Sequence, residues 1–391
     1  MRNSAEMEIC MKKILHLIFG RFFVVAMAII LQVLWLCVVL WQLSYKFTYV
    51  NLLVRVIAII VVLIIVNKWT NPANKLSWTF LILLSPSFGL MVYLLFGRSG
   101  LTKHTRKRMD AVNQQVEALF QRDIAAEEKL EKESRSAYLQ SSYIDKWAGF
   151  PLYQNTQTKY YHCGEEMFPD MLDALRSAKH FIFLEYFIIE EGYMFNTILD
   201  ILEEKAKAGV DVRFIYDDVG SINSISFGYY KKLQERGIPC VTFNPFKPLI
   251  SVVMNNRDHR KIFVVDGYIG FTGGINLADE YINKVKRFGY WKDTGVRIKG
   301  EAVWSLTAMF LEMWNYINRS TEDYSRFLPF VYQEKKFISD GFVQPYGDSP
   351  LDNENVGENI YLNIINRAKR YVYIFTPYLI IDHEMLICLS N

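Results

Sequence analysis

Three long apolar runs near the start of the chain predict membrane-spanning helices. The run from Phe22 to Leu43 contains no charged residue, and a second run from Tyr49 to Val66 contains only Arg55. A third run, Leu76 to Phe96, is again uncharged but has Pro86 near its middle. Runs of about 20 apolar residues match the thickness of a bilayer core, and soluble cores seldom contain uncharged runs of that length. The pattern predicts an anchor of two or three hydrophobic helices.

Basic residues flank this anchor on both sides. Lys12, Lys13 and Arg21 precede the first run, and Arg106, Lys107 and Arg108 follow the third. Because positive flanks tend to stay in the cytoplasm, both ends are expected there, and this requires an even number of crossings. We therefore expect a multi-pass protein with two true crossings and a cytoplasmic globular part. The sequence leaves open whether the second or the third run is partial or re-entrant.

Beyond the anchor, the pattern changes to apolar strands that alternate with amphipathic helices. A charged helical stretch comes first and is expected to be a solvated linker. The segments that follow are helices Met167–Lys179 and Asn196–Ala208 and strands His180–Ile189, Val210–Asp217 and Ile238–Phe243. This rhythm predicts an α/β domain with helices packed on a sheet. The later segment Glu301–Asn318 has the pattern of a core helix.

A short internal repeat indicates a duplicated domain. The segment Ala178–Leu184 is matched by Ala368–Ile374 at an offset of 190 residues, and each segment follows an amphipathic helix. A helix–strand unit that recurs at a fixed distance is typical of duplication. We therefore divide the chain into a membrane anchor, a charged helical linker, a first half-domain and the beginning of a second, at residues 1–97, 98–150, 151–345 and 346–391.

Charge and cysteine content narrow the class of protein. Lysine and arginine total 44 against 41 acidic residues, so the net charge of +3 is too small for a nucleic-acid-binding surface over the whole chain. The five cysteines are scattered without paired spacing, which argues against a disulfide framework and a structural zinc site. We expect no nucleic-acid partner, no metal and no cofactor.

One segment has the residue types for phosphate chemistry. His259, Arg260 and Lys261 stand at the start of an apolar run. Because side chains alternate along a strand, His259 and Lys261 are expected on one face and Arg260 on the other. An imidazole can attack phosphorus while a neighbouring ammonium neutralises the oxygens of the transition state. His259 and Lys261 are therefore the first candidates for a catalytic site.

A second set of residues follows at fixed distances. Asp266 lies five positions after the lysine, and Gly273, Gly274 and Asn276 come next. Two consecutive glycines permit a tight turn whose N–H groups can approach a phosphate, and an asparagine amide adds a donor. Asp266 is placed further along the strand, where we expect it to support the site rather than to react.

The complete spacing H-x-K-x4-D-x6-G-G-x-N resembles the signature that the phospholipase D superfamily carries in each of two half-domains. Other segments are similar to the bacterial cardiolipin synthase family, namely Asn71–Trp78, Tyr93–Arg98, Leu184–Ile188, Trp291–Thr294 and Phe375–Tyr378. The resemblance covers nearly the whole chain from the first apolar run. It implies N-terminal transmembrane helices followed by a phospholipase D-like α/β domain, with a mixed sheet flanked by helices, in the bacterial plasma membrane.

The resemblance also implies a reaction. It is the transfer of a phosphatidyl group between two phosphatidylglycerol molecules, which gives cardiolipin and glycerol. By position, His259 is expected to form a phosphohistidine, Lys261 and Asn276 to hold the phosphate, and Asp266 to support the motif. A site shielded from water would let a lipid hydroxyl resolve the intermediate. The expected partners are the phospholipid membrane and phosphatidylglycerol, and a homo-oligomer is left open.

The family pattern then calls for a second H-x-K motif about one repeat after the first. The sequence ends at Asn391, and His383 has Met385 rather than lysine two positions later. We therefore expect a truncated form, with an incomplete second half-domain that stops after its first helix and strand. The resemblance implies that the histidine of the second motif is the general acid–base group, and such a group typically raises the rate by about 10²–10⁴-fold. Without it, activity is expected to be impaired.

Three other functions stay open at this point. One is another phospholipase D-type phosphatidyltransferase or a hydrolase. The second is an inactive membrane-anchored fragment that binds lipid or a partner protein. A nuclease that uses the same motif is disfavoured by the apolar runs and the small net charge.

Overall fold

The structure is a computed structural model that describes residues 27, 30–35, 38–39, 42, 48–68, 70–97, 103–245, 256–287, 289–332, 337, 339, 341–348 and 354–391. The chain divides into two compact units. The first comprises residues 1–101, 217–229 and 242–258, and the second comprises 102–216, 230–241 and 259–391. Most of the first predicted membrane span, Phe22–Leu43, lies outside the described residues.

In the first unit, three apolar helices pack together: α1 Thr48–Asn67, α2 Pro72–Leu84 and α3 Pro86–Phe96. Their shared core contains Ala58 and Ile65 from α1, Ile82 from α2, and Leu90 and Tyr93 from α3. Among the described residues, α1 is the one helix that is long and apolar enough to cross a membrane. The prediction of several membrane-spanning helices is therefore not confirmed beyond α1.

The third apolar run forms two helices instead of one. Ser85 separates α2 from α3, and Pro86 begins α3, where its missing N–H costs no helical hydrogen bond. A Cβ atom on Gly89 would lie 2.5 Å from the Cα of Ile82, whereas residues seven apart in a continuous helix are about 10 Å apart. The chain therefore turns sharply at Ser85–Pro86, and residue 89 must be glycine for α2 and α3 to approach this closely.

The remaining elements build an α/β architecture. The helices are α4 Lys103–Glu117, α5 Ile124–Glu133, α6 Arg135–Ala148, α7 Gly164–Ser177, α8 Tyr193–Lys207, α9 Tyr229–Glu235, α10 Val303–Asn318, α11 Val356–Arg367 and α12 His383–Ser390. The strands are β1 Thr156–Tyr161, β2 Phe181–Tyr186, β3 Asp211–Asp217, β4 Cys240–Phe243, β5 Ile262–Val265, β6 Ile269–Gly273 and β7 Gly295–Gly300.

The seven strands form one mixed sheet in the order β1-β7-β6-β5-β2-β3-β4. β2 is parallel to β3, whereas β5 pairs antiparallel with both β2 and β6. Every residue of β2 is buried, as its continuous apolar pattern predicts for a strand covered on both faces. The register places Glu185 of β2 opposite Ile262 of β5. The prediction of an α/β domain with a mixed sheet flanked by helices is confirmed.

Helix α10 covers the centre of this sheet. It packs against β2, β5, β6 and β7. The ring of Phe310 on α10 stacks on that of Phe183 on β2, with 4.6 Å between the ring centroids. Both rings are fully buried, and burial of an aromatic ring of this size contributes about 1.5–3 kcal/mol. The helix predicted over Glu301–Asn318 is therefore a core helix that holds β2 and β5 in place.

The predicted solvated linker over 98–150 is wrong in one respect. It forms the three helices α4, α5 and α6, and α4 packs against α10. Val116 of α4 is fully buried, and Arg108 lies over the ring of Tyr316 at 4.6 Å. The apolar positions at helical spacing contact α10, and residues 102–150 belong to the second compact unit.

The strand predicted at the repeat near the end of the chain is also not formed. Helix α11 matches the predicted helix, but residues 370–376 of the described segment 354–391 are not part of any strand. Tyr373 is 77% exposed. A strand needs neighbours to satisfy its backbone groups and bury its side chains, and this segment has neither in the described structure. The division into two half-domains stays a prediction.

Candidate active site

The segment that carries the reactive pair lies just before β5. Lys261 is 5% exposed, whereas His259 is an exposed residue. The Lys261 Nζ atom lies 3.2 Å from Nδ1 of His259 and donates a hydrogen bond of 2.7 Å to the His259 carbonyl oxygen. The expectation that these two side chains lie together is confirmed. The arrangement combines an accessible imidazole with a largely buried cation.

An aromatic ring lies beside this pair. The centroid of the Phe187 ring is 4.7 Å from that of the His259 ring and 5.5 Å from the Lys261 Nζ atom. A cation at that distance from an aromatic ring is attracted to it. Phe187 immediately follows β2, and nothing in the sequence marks it as different from the other aromatic residues of that strand.

The contact between the lysine and the imidazole has a chemical consequence. An ammonium group can only donate hydrogen bonds, so an unprotonated Nδ1 must accept in this contact and a neutral His259 then carries its proton on Nε2. Attack on phosphorus by Nε2 requires the other tautomer. Lys261 must therefore turn from Nδ1 towards another acceptor before Nε2 can react.

Asp266 ties the far end of β5 to the beginning of β2. Its Oδ1 atom accepts hydrogen bonds of 2.8 Å from the backbone N–H groups of His180 and Phe181, and its Oδ2 atom accepts one of 2.8 Å from Lys179. The residue is buried and has a φ of 49°. This contact set gives Asp266 a supporting position, and its catalytic importance stays a prediction.

The two glycines form the turn between β6 and the chain that leads to β7. Gly273 has a φ of 146°, and a Cβ atom there would lie 2.5 Å from the Thr294 carbonyl oxygen. The Gly274 N–H donates a 3.0 Å hydrogen bond to the same oxygen, and a Cβ atom on Gly274 would overlap the Asp293 carboxylate. Close packing on Thr294 and Asp293 therefore requires glycine. Phosphate binding by Gly273 and Gly274 stays a prediction.

Asn276 is buried, and both ends of its amide are engaged. Its Oδ1 atom accepts a 3.1 Å hydrogen bond from the Ile188 N–H, and its Nδ2 atom donates one of 2.8 Å to the Tyr281 hydroxyl oxygen. Burial raises the pKa of Tyr281 to about 12, so this hydroxyl keeps its proton at neutral pH. Asn276 thus fixes the chain just beyond Phe187, and its predicted contact with phosphate stays a prediction.

One pair near the motif was not anticipated. The Nε atom of Arg260 lies 2.7 Å from a carboxylate oxygen of Glu185 on β2. The Glu185 side chain is fully buried and that of Arg260 is 27% exposed. A signal was present in the sequence, because Glu185 is the one acidic residue inside the apolar run His180–Ile188.

Comparison with known families assigns the class of this fold. Residues 171–314 match the family described as "Cardiolipin synthase, PLD-like domain". Residues 56–98 match the family described as "Phospholipase_D-nuclease N-terminal". The mixed sheet and the segment with His259 and Lys261 therefore belong to a phospholipase D-like domain.

Curated relatives narrow the class further. Cardiolipin synthase 1 of Bacillus cereus is 35% identical over 87% of this chain and 68% of its own length. Cardiolipin synthase of Alkalihalophilus pseudofirmus is 35% identical over 82% of this chain and 63% of its own length. An uncharacterized protein of Streptococcus mutans is 43% identical over 83% of this chain and 70% of its own length. The chain belongs to the cardiolipin synthase family, as the sequence resemblance implied.

Proposed function

We propose that this chain carries the phosphatidyl-transfer site of a cardiolipin synthase. In this reaction, His259 takes the phosphatidyl group from one phosphatidylglycerol molecule and a hydroxyl of a second molecule receives it. The observation that carries the proposal is the contact between His259 and Lys261 at 3.2 Å. It brings a nucleophile and a phosphate-neutralising cation together at a position that substrate can reach.

In the first step, the donor phosphate draws the Lys261 ammonium away from Nδ1. Nδ1 can then hold the imidazole proton, and Nε2 has a lone pair for attack on phosphorus. The new P–N bond forms as the P–O bond to glycerol breaks, and the leaving oxygen takes a proton from a general acid other than His259. In the second step, a hydroxyl of the acceptor lipid gives its proton to the conjugate base of that acid, attacks phosphorus and releases the imidazole. Lys261 neutralises the phosphate oxygens in both steps.

The departing glycerol needs a general acid that His259 cannot also supply. We assign this role to no other histidine of the sequence, because none of the other five has a lysine two positions later. A donor with a good leaving group, such as phosphatidyl-p-nitrophenol, avoids this requirement because nitrophenolate departs without protonation. Such a donor isolates the part of the reaction that His259 performs.

The membrane placement belongs to the same proposal. Helix α1 is apolar enough to cross a bilayer, and the sharp turn between α2 and α3 suits a segment that enters a bilayer without crossing it as one helix. With the first apolar run as a second crossing, both basic flanks lie in the cytoplasm. The proposal therefore places a multi-pass protein in the bacterial plasma membrane, with the transfer site facing the cytoplasm.

The test uses the full chain in detergent–phospholipid micelles with phosphatidyl-p-nitrophenol. We expect a burst of nitrophenol close to one per protein molecule. We also expect the burst to fall at least about 10³-fold in rate for His259→Ala, because a nucleophile cannot be replaced by its neighbours. A burst that His259→Ala leaves unchanged contradicts the proposal.

The products distinguish transfer from hydrolysis. With phosphatidylglycerol as acceptor, the proposal predicts cardiolipin as the main product. Phosphatidic acid as the main product would instead assign the chain to the lipid-hydrolysing phospholipases D. Lipid binding without any burst would leave the inactive lipid-binding fragment as the better description.

A further inference from the structure

An ion pair next to the reactive residues has no role in the chemistry described so far. Arg260 stands between His259 and Lys261 in the sequence. Its side chain forms an ion pair with Glu185, with 2.7 Å between the Arg260 Nε atom and a carboxylate oxygen. Glu185 is fully buried in β2. Removing a charge this deep from water is costly, so the carboxylate must be compensated by a partner that stays in place.

The position of the pair matters because the reactive segment lies outside the sheet. Residues 259–261 precede β5, and the ladder between β2 and β5 ends at the pair Glu185 and Ile262. No strand pairing therefore fixes the backbone of His259 to Lys261. The guanidinium of Arg260 ties this backbone to Glu185, the last residue of β2 that pairs with β5, two positions before Phe187.

The charge of Arg260 also acts on a carboxylate of α10. Glu312 lies in the middle of α10, which packs against both β2 and β5. Arg260 lowers the pKa of Glu312, against a larger opposite effect of burial. Arg260 thus joins the reactive segment to β2 through one planar side chain. A planar guanidinium holds its partners in a more fixed geometry than a lysine ammonium does.

We propose that Arg260 and Glu185 are positioning residues for phosphatidyl transfer, which hold the backbone of residues 259–261 so that His259 and Lys261 meet the same phosphate. This inference rests on the proposed function. It predicts that the pair affects the rate of transfer and leaves donor binding nearly unchanged, because Glu185 is fully buried and Arg260 is paired with it.

The test compares conservative variants in the full chain with phosphatidyl-p-nitrophenol. We expect Arg260→Lys and Glu185→Gln each to slow the burst by about 10–100-fold at saturating donor, since displacements of about 1 Å at a reacting group have effects of this size. The donor concentration at half-saturation should change less than threefold. The double variant should be no slower than the slower single variant, because each residue acts through the other.

The matched control is a buried ion pair elsewhere in the same sheet. Arg213 of β3 lies 2.6 Å from Glu322 and its side chain is 10% exposed. Arg213→Lys should lower the thermal midpoint as Arg260→Lys does, but leave the burst rate per folded molecule within threefold of wild type. Equal slowing by both variants, or a burst in Arg260→Lys within threefold of wild type, overturns the inference.

A second measurement separates this inference from the proposed function. Deuterium uptake by a peptide that covers residues 259–265 needs no turnover. Uptake should be at least tenfold faster in Arg260→Lys and Glu185→Gln than in wild type and Arg213→Lys. If wild type shows no burst but this difference is found, the transferase proposal fails and the positioning of the segment stands. Unchanged uptake in all variants overturns the positioning of the segment by this pair.

Discussion

Two parts of the chain share one sequence pattern and have different structures. Residues Phe181–Tyr186 form the fully buried strand β2, whereas the matching residues 371–376 form no strand. Phe183 is fully buried, and Tyr373, its counterpart at the 190-residue offset, is 77% exposed. The first segment has β3 and β5 as neighbours and α10 as a cover, and the second has none of these in the described structure. Local pattern therefore selects a strand only where neighbours complete it.

The largest expected difference between the two segments is in hydrogen exchange. Strand β2 lies between two paired strands, β3 along Phe181–Tyr186 and β5 along Ile182–Glu185, so its amides should exchange only on global or large-scale opening. We expect protection at least about 10³-fold greater than for residues 371–376. Comparable protection of the two segments would show that the second one also forms a paired strand in solution.

Truncation of the matched side chains Phe183 and Tyr373 should lower the free energy of unfolding by very different amounts. Phe183→Ala removes a fully buried ring that stacks on Phe310, and we expect a loss of about 3–5 kcal/mol of unfolding free energy. Tyr373→Ala changes an exposed side chain and should cost less than about 0.5 kcal/mol. Denaturant unfolding of both variants measures the difference. A cost of several kcal/mol for Tyr373→Ala would contradict the exposed position of the second segment.

Asp266 accepts hydrogen bonds from the backbone at the start of β2 and should stabilise this strand. Asp266→Ala leaves three backbone N–H groups near the start of β2 without their acceptor, so we expect a loss of about 2–4 kcal/mol. Asp266→Asn is the control, because asparagine tolerates a positive φ and keeps one acceptor oxygen. It should lose less than half as much in the same unfolding experiment. Equal losses would mean that hydrogen bonding is not the main role of Asp266.

The smallest expected effect is a pH dependence of stability that comes from Glu312, a half-buried acid on the helix α10 that covers β2. Burial raises the pKa of Glu312 to about 7 against an ordinary value of 4.5, and Arg260 offsets part of this rise. The folded state holds a proton that the unfolded state releases, so this contribution to stability is present below about pH 4.5 and is lost as the pH rises through about 7.

Glu312→Gln should remove this dependence. As the pH rises from 5 to 8, the stability of the variant minus that of wild type should increase by about 1–3 kcal/mol, because glutamine has no proton to lose. The measurement is the difference in thermal midpoint between variant and wild type at the two pH values, in which other titrating groups cancel. A difference that is the same at both pH values would show that Glu312 is already ionised at pH 5.

Much of the fold could be predicted because burial leaves a clear pattern. The predicted helices and strands between Met167 and Phe243 are all observed, with ends shifted by only a few residues. The pattern failed at residues 371–376, where strand formation depends on neighbours that a local pattern does not contain. It also failed for the expected solvated linker, since apolar positions at helical spacing do not say which surface they contact.

The sequence predicts that His259 and Lys261 lie close together, but it predicts few of the side chains around them. Two-residue spacing alone brings His259 and Lys261 together. Their neighbours come from distant parts of the chain, and only Glu185 carried a signal, as an acid inside an apolar strand. The engagement of Asn276 with Ile188 and Tyr281 could not be predicted, because it depends on how the turn after β6 packs beside the end of β2.

In the proposed reaction, His259 becomes covalently bonded to phosphorus. Rapid acid-free quenching of the full chain with phosphatidyl-p-nitrophenol, followed by proteolysis and mass spectrometry under neutral conditions, detects such an adduct directly. We expect a phosphatidyl group on His259 that appears within the burst and disappears when phosphatidylglycerol is added as acceptor. An adduct on another residue, or cardiolipin formation without any adduct on His259, would contradict it.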